Sequence, residues 1–287
     1  MTTRPGGSLT LADDLTLSRM GYGAMQLAGS GVWGPPRDPK AATAVLREAV
    51  ELGVTHIDTS DFYGPATVNE TIREALHPYR EDLHIATKVG ARRAGDRSWP
   101  VALSRQELIE DVHENLKHLG LDVLDLVTLR VGAREHPTPG SIAEPFTVLA
   151  ELQHQGLIRH LGVSGMSSEQ LTEALSIARV VAVQNLYNIA RRDDDELVDR
   201  CAKEGIAYTA FFPLGGFTPL QSDVLNGVAN RLGLTSQTVA LAWLLQRSST
   251  TLLIPGTSSI AHLRENIAAA EITLPADAIA ELDHIGS

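Results

Sequence analysis

Eight short apolar runs rich in β-branched residues recur along the chain, each followed by a stretch of different periodicity. The strand candidates are residues 20–24, 54–58, 83–88, 123–130, 160–164, 180–184, 206–212 and 251–254. Between them, residues 40–52, 68–77, 104–119, 144–155, 168–177, 194–204 and 236–247 mostly carry apolar side chains at i, i+3 and i+4, the spacing that lines one face of a helix. Several of these stretches end at a glycine (Gly53, Gly120, Gly156, Gly205), a C-cap signal because glycine tolerates the left-handed conformation. Alternation of this kind forces parallel strands joined by crossover helices. Eight strands close a barrel, whereas a doubly wound sheet has about five or six. Ahead of the first strand, SLTLADDLTLSR sets Asp13-Asp14 between two alternating runs and reads as a hairpin under the barrel. No Pro/Ser-rich linker, low-complexity tract or internal repeat divides the chain. The expected fold is therefore α/β, a single (β/α)8 TIM barrel with an N-terminal β-hairpin cap, in one domain over residues 1–287.

Charge narrows the partners. The formal net charge is −11 and no basic stripe interrupts it, which argues against a nucleic-acid partner. An anionic ligand would need local donors. The single cysteine, Cys201, excludes an internal disulfide, suits a reducing compartment and sits in a helical run as a small core residue. MTTRPGGSLT lacks the apolar stretch of a secretion signal, and no run of eighteen apolar residues occurs. The expectation is a cytoplasmic protein with no membrane segment, a monomer or small homo-oligomer.

In a barrel of this kind, chemistry collects at the C-terminal ends of the strands. Asp58, Lys88 and Arg130 end three strand candidates, and Tyr63 follows Asp58 in the loop DTSDFYG. One charged residue at a strand end commonly just meets solvent. Four groups of complementary chemistry on one rim point to carbonyl reduction, where hydride reaches the carbonyl carbon and the alkoxide must be protonated. A tyrosine near its ordinary pKa of about 10 is a poor acid–base catalyst at neutral pH. A neighbouring lysine cation favours the phenolate and lowers that value, and an aspartate keeps the lysine charged and in place. His56, in the same strand as Asp58, reads as a satisfied interior histidine. The one GxGxxG match, residues 29–34, is followed by Pro35-Pro36 rather than a helix, so it reads as a loop over the barrel mouth. No HExxH, CxxC or carboxylate cluster suggests a metal. The run IPGTSS ahead of REN is an ordinary helix N-terminal cap, and it also lies where barrels bind phosphate.

These residues resemble the aldo-keto reductase superfamily. The resemblance lies in Asp58, Tyr63 and Lys88, in GVSG at 162–165, VQNLYN at 183–188, FFPLGG at 211–216 and LLIPGTSSIAHLREN at 252–266. Within it, NLYNIA, FFPLGGFTPLQ and WLLQRS resemble the bacterial pyridoxal reductases. The resemblance implies an NADPH-dependent reduction of a small aldehyde or ketone, with pyridoxal to pyridoxine foremost. A broad aldehyde reductase, a cofactor-binding regulatory subunit and a lyase forming a Schiff base on Lys88 are the rival readings.

The roles implied by the resemblance are specific. Tyr63 is the proton donor, supported by Lys88 and Asp58. Ser164 and Gln184 hold the nicotinamide carboxamide and Phe211 stacks on its ring, and Gly23, Met25, Pro213 and Leu214 also bind the cofactor. Gly256, Thr257, Ser258 and His262 face the adenosine 2′-phosphate, and Glu265 and Asn266 the adenine. Trp33, Phe62 and Phe212 offer flat walls to the substrate. Three departures stand out. Arg130 replaces the usual histidine and is assigned to orienting the substrate oxygen. Gly165 replaces an asparagine that follows Ser164. Gly256 lacks a common lysine and His262 stands where arginine is frequent, which leaves Arg264 as a nearby cation and implies a modest preference for NADPH over NADH.

Overall fold

The computed structural model describes residues 4–132, 136–216 and 220–286; Phe217, Thr218 and Pro219 of the FFPLGGFTPLQ segment fall outside them. β1 (Ser8–Leu11) and β2 (Leu15–Ser18) pair antiparallel, Leu11 opposite Leu15. Their turn carries Ala12 and Asp13 at φ 53° and 72°, the sense of twist that tight hairpins require.

The barrel strands are β3 (Tyr22–Gly23), β4 (His56–Asp58), β5 (His84–Val89), β6 (Leu124–Arg130), β7 (Ile158–Ser164), β8 (Val180–Leu186), β9 (Ala207–Phe211) and β10 (Thr251–Leu253). Each lies parallel to its predecessor. Closure comes from Gly21 N–H donating to the Leu253 carbonyl (2.7 Å) and Leu253 N–H to that of Arg19 (2.8 Å). The helices are α1 (Pro39–Glu51), α2 (Thr67–Leu76), α3 (Arg105–Leu119), α4 (Ala143–His154), α5 (Ser168–Ile177), α6 (Asp195–Glu204), α7 (Asp223–Leu232), α8 (Ser236–Arg247), α9 (Ile260–Ala269) and α10 (Ala276–Leu282). Among the described residues, no helix is long and apolar enough to cross a membrane.

Local chemistry accounts for the helix boundaries. Asp38 caps α1 by accepting from Ala41 N–H, with Pro39 in the first turn. Capping boxes Ser104/Glu107 and Ser167/Gln170 open α3 and α5, and left-handed Gly120, Gly205 and Gly233 close α3, α6 and α7. The cap run IPGTSS, rather than periodicity, signals α9, and α7 and α10 are not among the helices expected from the sequence. α7 is interrupted by Asn226, Gly227 and Asn230, all weak helix formers, and α10 spans only seven residues after Pro275.

Alternation along each strand divides the barrel interior into two layers. The lower layer holds Ala86, Leu126, Ala182, Ala207 and Leu252, packed against Leu11, Leu15 and Leu17 of the hairpin, which thus plugs the bottom as expected. Two residues further up each strand the same face carries Lys88, Thr128, Gln184, Thr209 and Ile254. A dry leucine plug therefore sits beneath a polar floor.

His56 belongs to this interior, two residues before Asp58. It is buried, but its Nδ1 has no hydrogen-bond partner among the described residues, which departs from the expectation of a satisfied histidine. The ring packs so closely on Gly21 that a Cβ there would lie 2.6 Å from Nδ1. Burial depresses the imidazole pKa to about 4; Asp58 opposes this and the Lys88 and His84 charges reinforce it. An unfolded histidine titrates near 6.5, so below that pH the unfolded chain takes up a proton that the native chain refuses. Stability should therefore fall as the pH drops from about 6.5 to about 4, by up to roughly 3 kcal/mol from this residue. His56→Gln should flatten that part of the profile, measured as the urea midpoint against pH. An unchanged acid slope would assign the effect elsewhere.

Candidate active site

Three strands meet at one buried ion pair. Lys88 Nζ, on β5, donates to Asp58 Oδ1 at the end of β4 (2.5 Å) and to the Thr59 carbonyl (3.0 Å). The other Asp58 oxygen accepts from Gln184 Nε2 of β8 (2.8 Å). The two charged side chains are each only 4% exposed. Burial alone would pull the Lys88 pKa down, but Asp58 and Tyr63 outweigh it and hold the ammonium above the ordinary lysine range.

Tyr63 arrives on the loop between β4 and α2, which is tied down residue by residue. Thr59 N–H donates to the Ala86 carbonyl (2.8 Å), the Ser60 hydroxyl to the Lys88 carbonyl (3.1 Å) and Tyr63 N–H to the Ser60 carbonyl (3.0 Å). Asp61 meets His118 Nδ1 of α3 (2.7 Å) and accepts from Asn69 of α2 (3.1 Å). The Tyr63 ring centroid lies 5.4 Å from Lys88 Nζ. The sequence suggested a lowered Tyr63 pKa; the structure reverses the direction. Burial raises it, with Asp58 adding to the rise, and together they exceed the opposing pull of Lys88 and Arg130. Lys88 is less effective than its proximity suggests because Asp58 cancels much of its field. Tyr63 is thus held in its protonated, acidic form.

Arg130, at the end of β6, stands about 6 Å from the rings of Phe62 and Trp99. Trp99 was not anticipated. It lies on the loop between β5 and α3, edge-on to Phe62 (5.5 Å) and Tyr63 (6.4 Å), with Arg93 over its ring at 4.1 Å. A tryptophan in the polar run ARRAGDRSWP is the only sequence signal for it.

These side chains open into a cavity of about 590 Å³ at the C-terminal ends of the strands. Asp58, Tyr63, Lys88, Arg130, Ser164, Gln184, Phe211 and Phe212 line it, with Gly23, Met25, Pro213, Leu214 and Gly256. Trp33 and Phe62 do not. Trp33 packs beside Arg93 and Arg97, whereas Phe62 lies edge-on to Tyr63 and Trp99, one layer back. Trp99 takes the wall position instead.

The segment after β10 is also only partly in the cavity. Ser258 lines an adjoining cleft, while Thr257, His262, Glu265 and Asn266 line neither. The Thr257 carbonyl accepts from Tyr22 Oη (2.6 Å) and Glu265 from Thr235 (2.7 Å); Asn266 is buried in α9, and the His262 N–H donates to the Ser259 hydroxyl that caps that helix. Arg264 is engaged by Glu48 at 2.8 Å.

The donor set suits a primary carboxamide beside a flat ring. Among the described residues, the buried Ser164 hydroxyl and the Gln184 side-chain carbonyl oxygen make no hydrogen bond, and Phe211 supplies an aromatic wall. Gly165, where the resemblance led one to expect asparagine, sits at φ 69° and donates its N–H to Asn185 Oδ1 (2.8 Å). A neighbouring asparagine thus pins the turn instead. Among the described residues, no cluster of three or more His, Cys, Asp or Glu is arranged to hold a metal.

Comparison with known proteins agrees with this geometry. Residues 19–287 match the model of the aldo/keto reductase family. Pyridoxine 4-dehydrogenase of Escherichia coli K12 is 60% identical over 94% of this chain and 95% of its own length. A thermostable aldo-keto reductase solved with the inhibitor epalrestat superposes with a TM-score of 0.83 at 31% identity, over 97% of this chain and 99% of that one. An aldo-keto reductase from Klebsiella pneumoniae, solved with NADPH, shares the fold at 23% identity with a TM-score of 0.80, over 100% of this chain and 96% of its own. The chain belongs to the aldo/keto reductase family.

Proposed function

We propose that this chain reduces pyridoxal to pyridoxine with NADPH, acting as one barrel domain in the cytoplasm, where the buried Cys201 stays reduced. The observation that carries the reading is the buried Asp58–Lys88 pair beside Tyr63, opening into a cavity with aromatic walls and Arg130 at its side. The likeness to a pyridoxine 4-dehydrogenase along nearly the whole chain supports the choice of substrate.

When bound, the reduced nicotinamide supplies hydride to the aldehyde carbon. The chain's own residues handle position and charge. Ser164 donates to the carboxamide oxygen, Gln184 accepts from its nitrogen and Phe211 covers the ring. Tyr63 gives its proton to the substrate oxygen, and the resulting phenolate is stabilised by Lys88 and Arg130. Asp58 holds Lys88 in place and charged. Arg130 stays protonated and cannot relay a proton, so it serves as a fixed donor to the phenolate oxygen of pyridoxal. Trp99 and Phe212 offer surfaces for the pyridine ring, a stacking contact of about 0.5–1.5 kcal/mol beyond burial.

Ranking kcat/KM for pyridoxal, 4-nitrobenzaldehyde and butanal with NADPH tests the substrate. Pyridoxal should lead; a clear lead for 4-nitrobenzaldehyde would mean that stacking alone selects, as in a broad aldehyde reductase. Replacing the proton donor tests the chemistry. Tyr63→Phe should retain dinucleotide binding and lose roughly 10²–10⁴-fold in kcat, the range of general acid catalysis. Near-native turnover in that variant would remove Tyr63 from the reaction.

A further inference from the structure

A second cleft, of about 350 Å³, adjoins the main cavity and shares Met25, Gln26, Gly31 and Val32 with it. Ser258, on the turn after β10, and Arg37, on the loop that leads into α1, both line it. Arg37 is exposed, and its guanidinium makes no hydrogen bond or ion pair with a described residue. Asp38 also lines the cleft, but its carboxylate is engaged by Ala41 N–H at the start of α1 (3.0 Å).

The segment after β10 itself supplies no unpaired arginine or lysine among the described residues. Gly256 has no side chain, His262 carries an imidazole that lines neither cavity, and Arg264 is bound to Glu48. A chain of net charge −11 repels a phosphate dianion at long range, so recognition of one calls for a local cation.

Resting on the reading that NADPH is the reductant, we propose that Arg37, together with Ser258 of the same cleft, binds the adenosine 2′-phosphate and sets the preference for NADPH over NADH. The contact comes from the loop before α1, not only from the segment after β10. Arginine suits it because its fork of N–H donors matches phosphate geometry and its charge is permanent.

Calorimetric titration of the full chain with NADPH and with NADH tests this. The native chain should bind NADPH more tightly. Arg37→Met should weaken NADPH at least about tenfold more than NADH, the loss expected from one charge-assisted contact, and Arg37→Lys should fall between. If the native chain prefers NADPH and Arg37→Met keeps that preference, or if the native chain does not discriminate, the proposal is overturned. Binding of neither dinucleotide by the native chain overturns instead the reading of function on which it rests.

Discussion

Two opposite charges almost fully removed from water, Lys88 and Asp58, set the terms for the rest of the barrel. Removing each ion from solvent costs several kcal/mol, which their mutual attraction offsets only when the remaining donors and acceptors are also satisfied. Here they are satisfied by Thr59 and Gln184, so β4, β5 and β8 are bound into one polar unit across the barrel. Register follows from this. A one-residue slip in β5 would turn Lys88 toward the helices and leave Asp58 buried and unpaired.

Behind the pair lies a second buried network that holds the tyrosine loop. The Thr59 hydroxyl donates to Asn69, Asn69 to Asn115, and Thr87, next to Lys88, also donates to Asn115. All four side chains are fully buried, so α2, α3 and β5 share a set of hydrogen bonds that water does not compete for. The leucine plug performs the complementary task below, filling the barrel without polar atoms. Stability is concentrated at one end of the barrel and chemistry at the other.

Much of this was legible in the chain because parallel strands buried on both faces write themselves as apolar runs, and the barrel puts their last residues on one rim. Asp58, Lys88 and Arg130 could be placed from strand ends alone, Ser164, Gln184 and Phe211 came from the resemblance, and the cavity is lined by all six. What escaped depends on contacts distant in sequence. Arg264 read as an available cation, yet Glu48, 216 positions earlier, engages it. Trp33 and Trp99 both sit on loops, and only the folded chain distinguishes the wall from the buttress. The direction of the Tyr63 shift depended on how thoroughly its hydroxyl is buried, which spacing does not encode.

The hydrogen bond from Gln184 to Asp58 has a further consequence. A carboxylate only accepts, so it determines which end of the Gln184 amide faces it: the nitrogen is committed and the oxygen is left to the cavity. With the Ser164 hydroxyl able to donate, the two residues present an ordered pair, one acceptor and one donor. A carboxamide seated there has a single favourable orientation, since turning it end for end would set oxygen against oxygen. The buried carboxylate would thereby set, without touching the ligand, which end of a carboxamide held by these two residues faces Gln184.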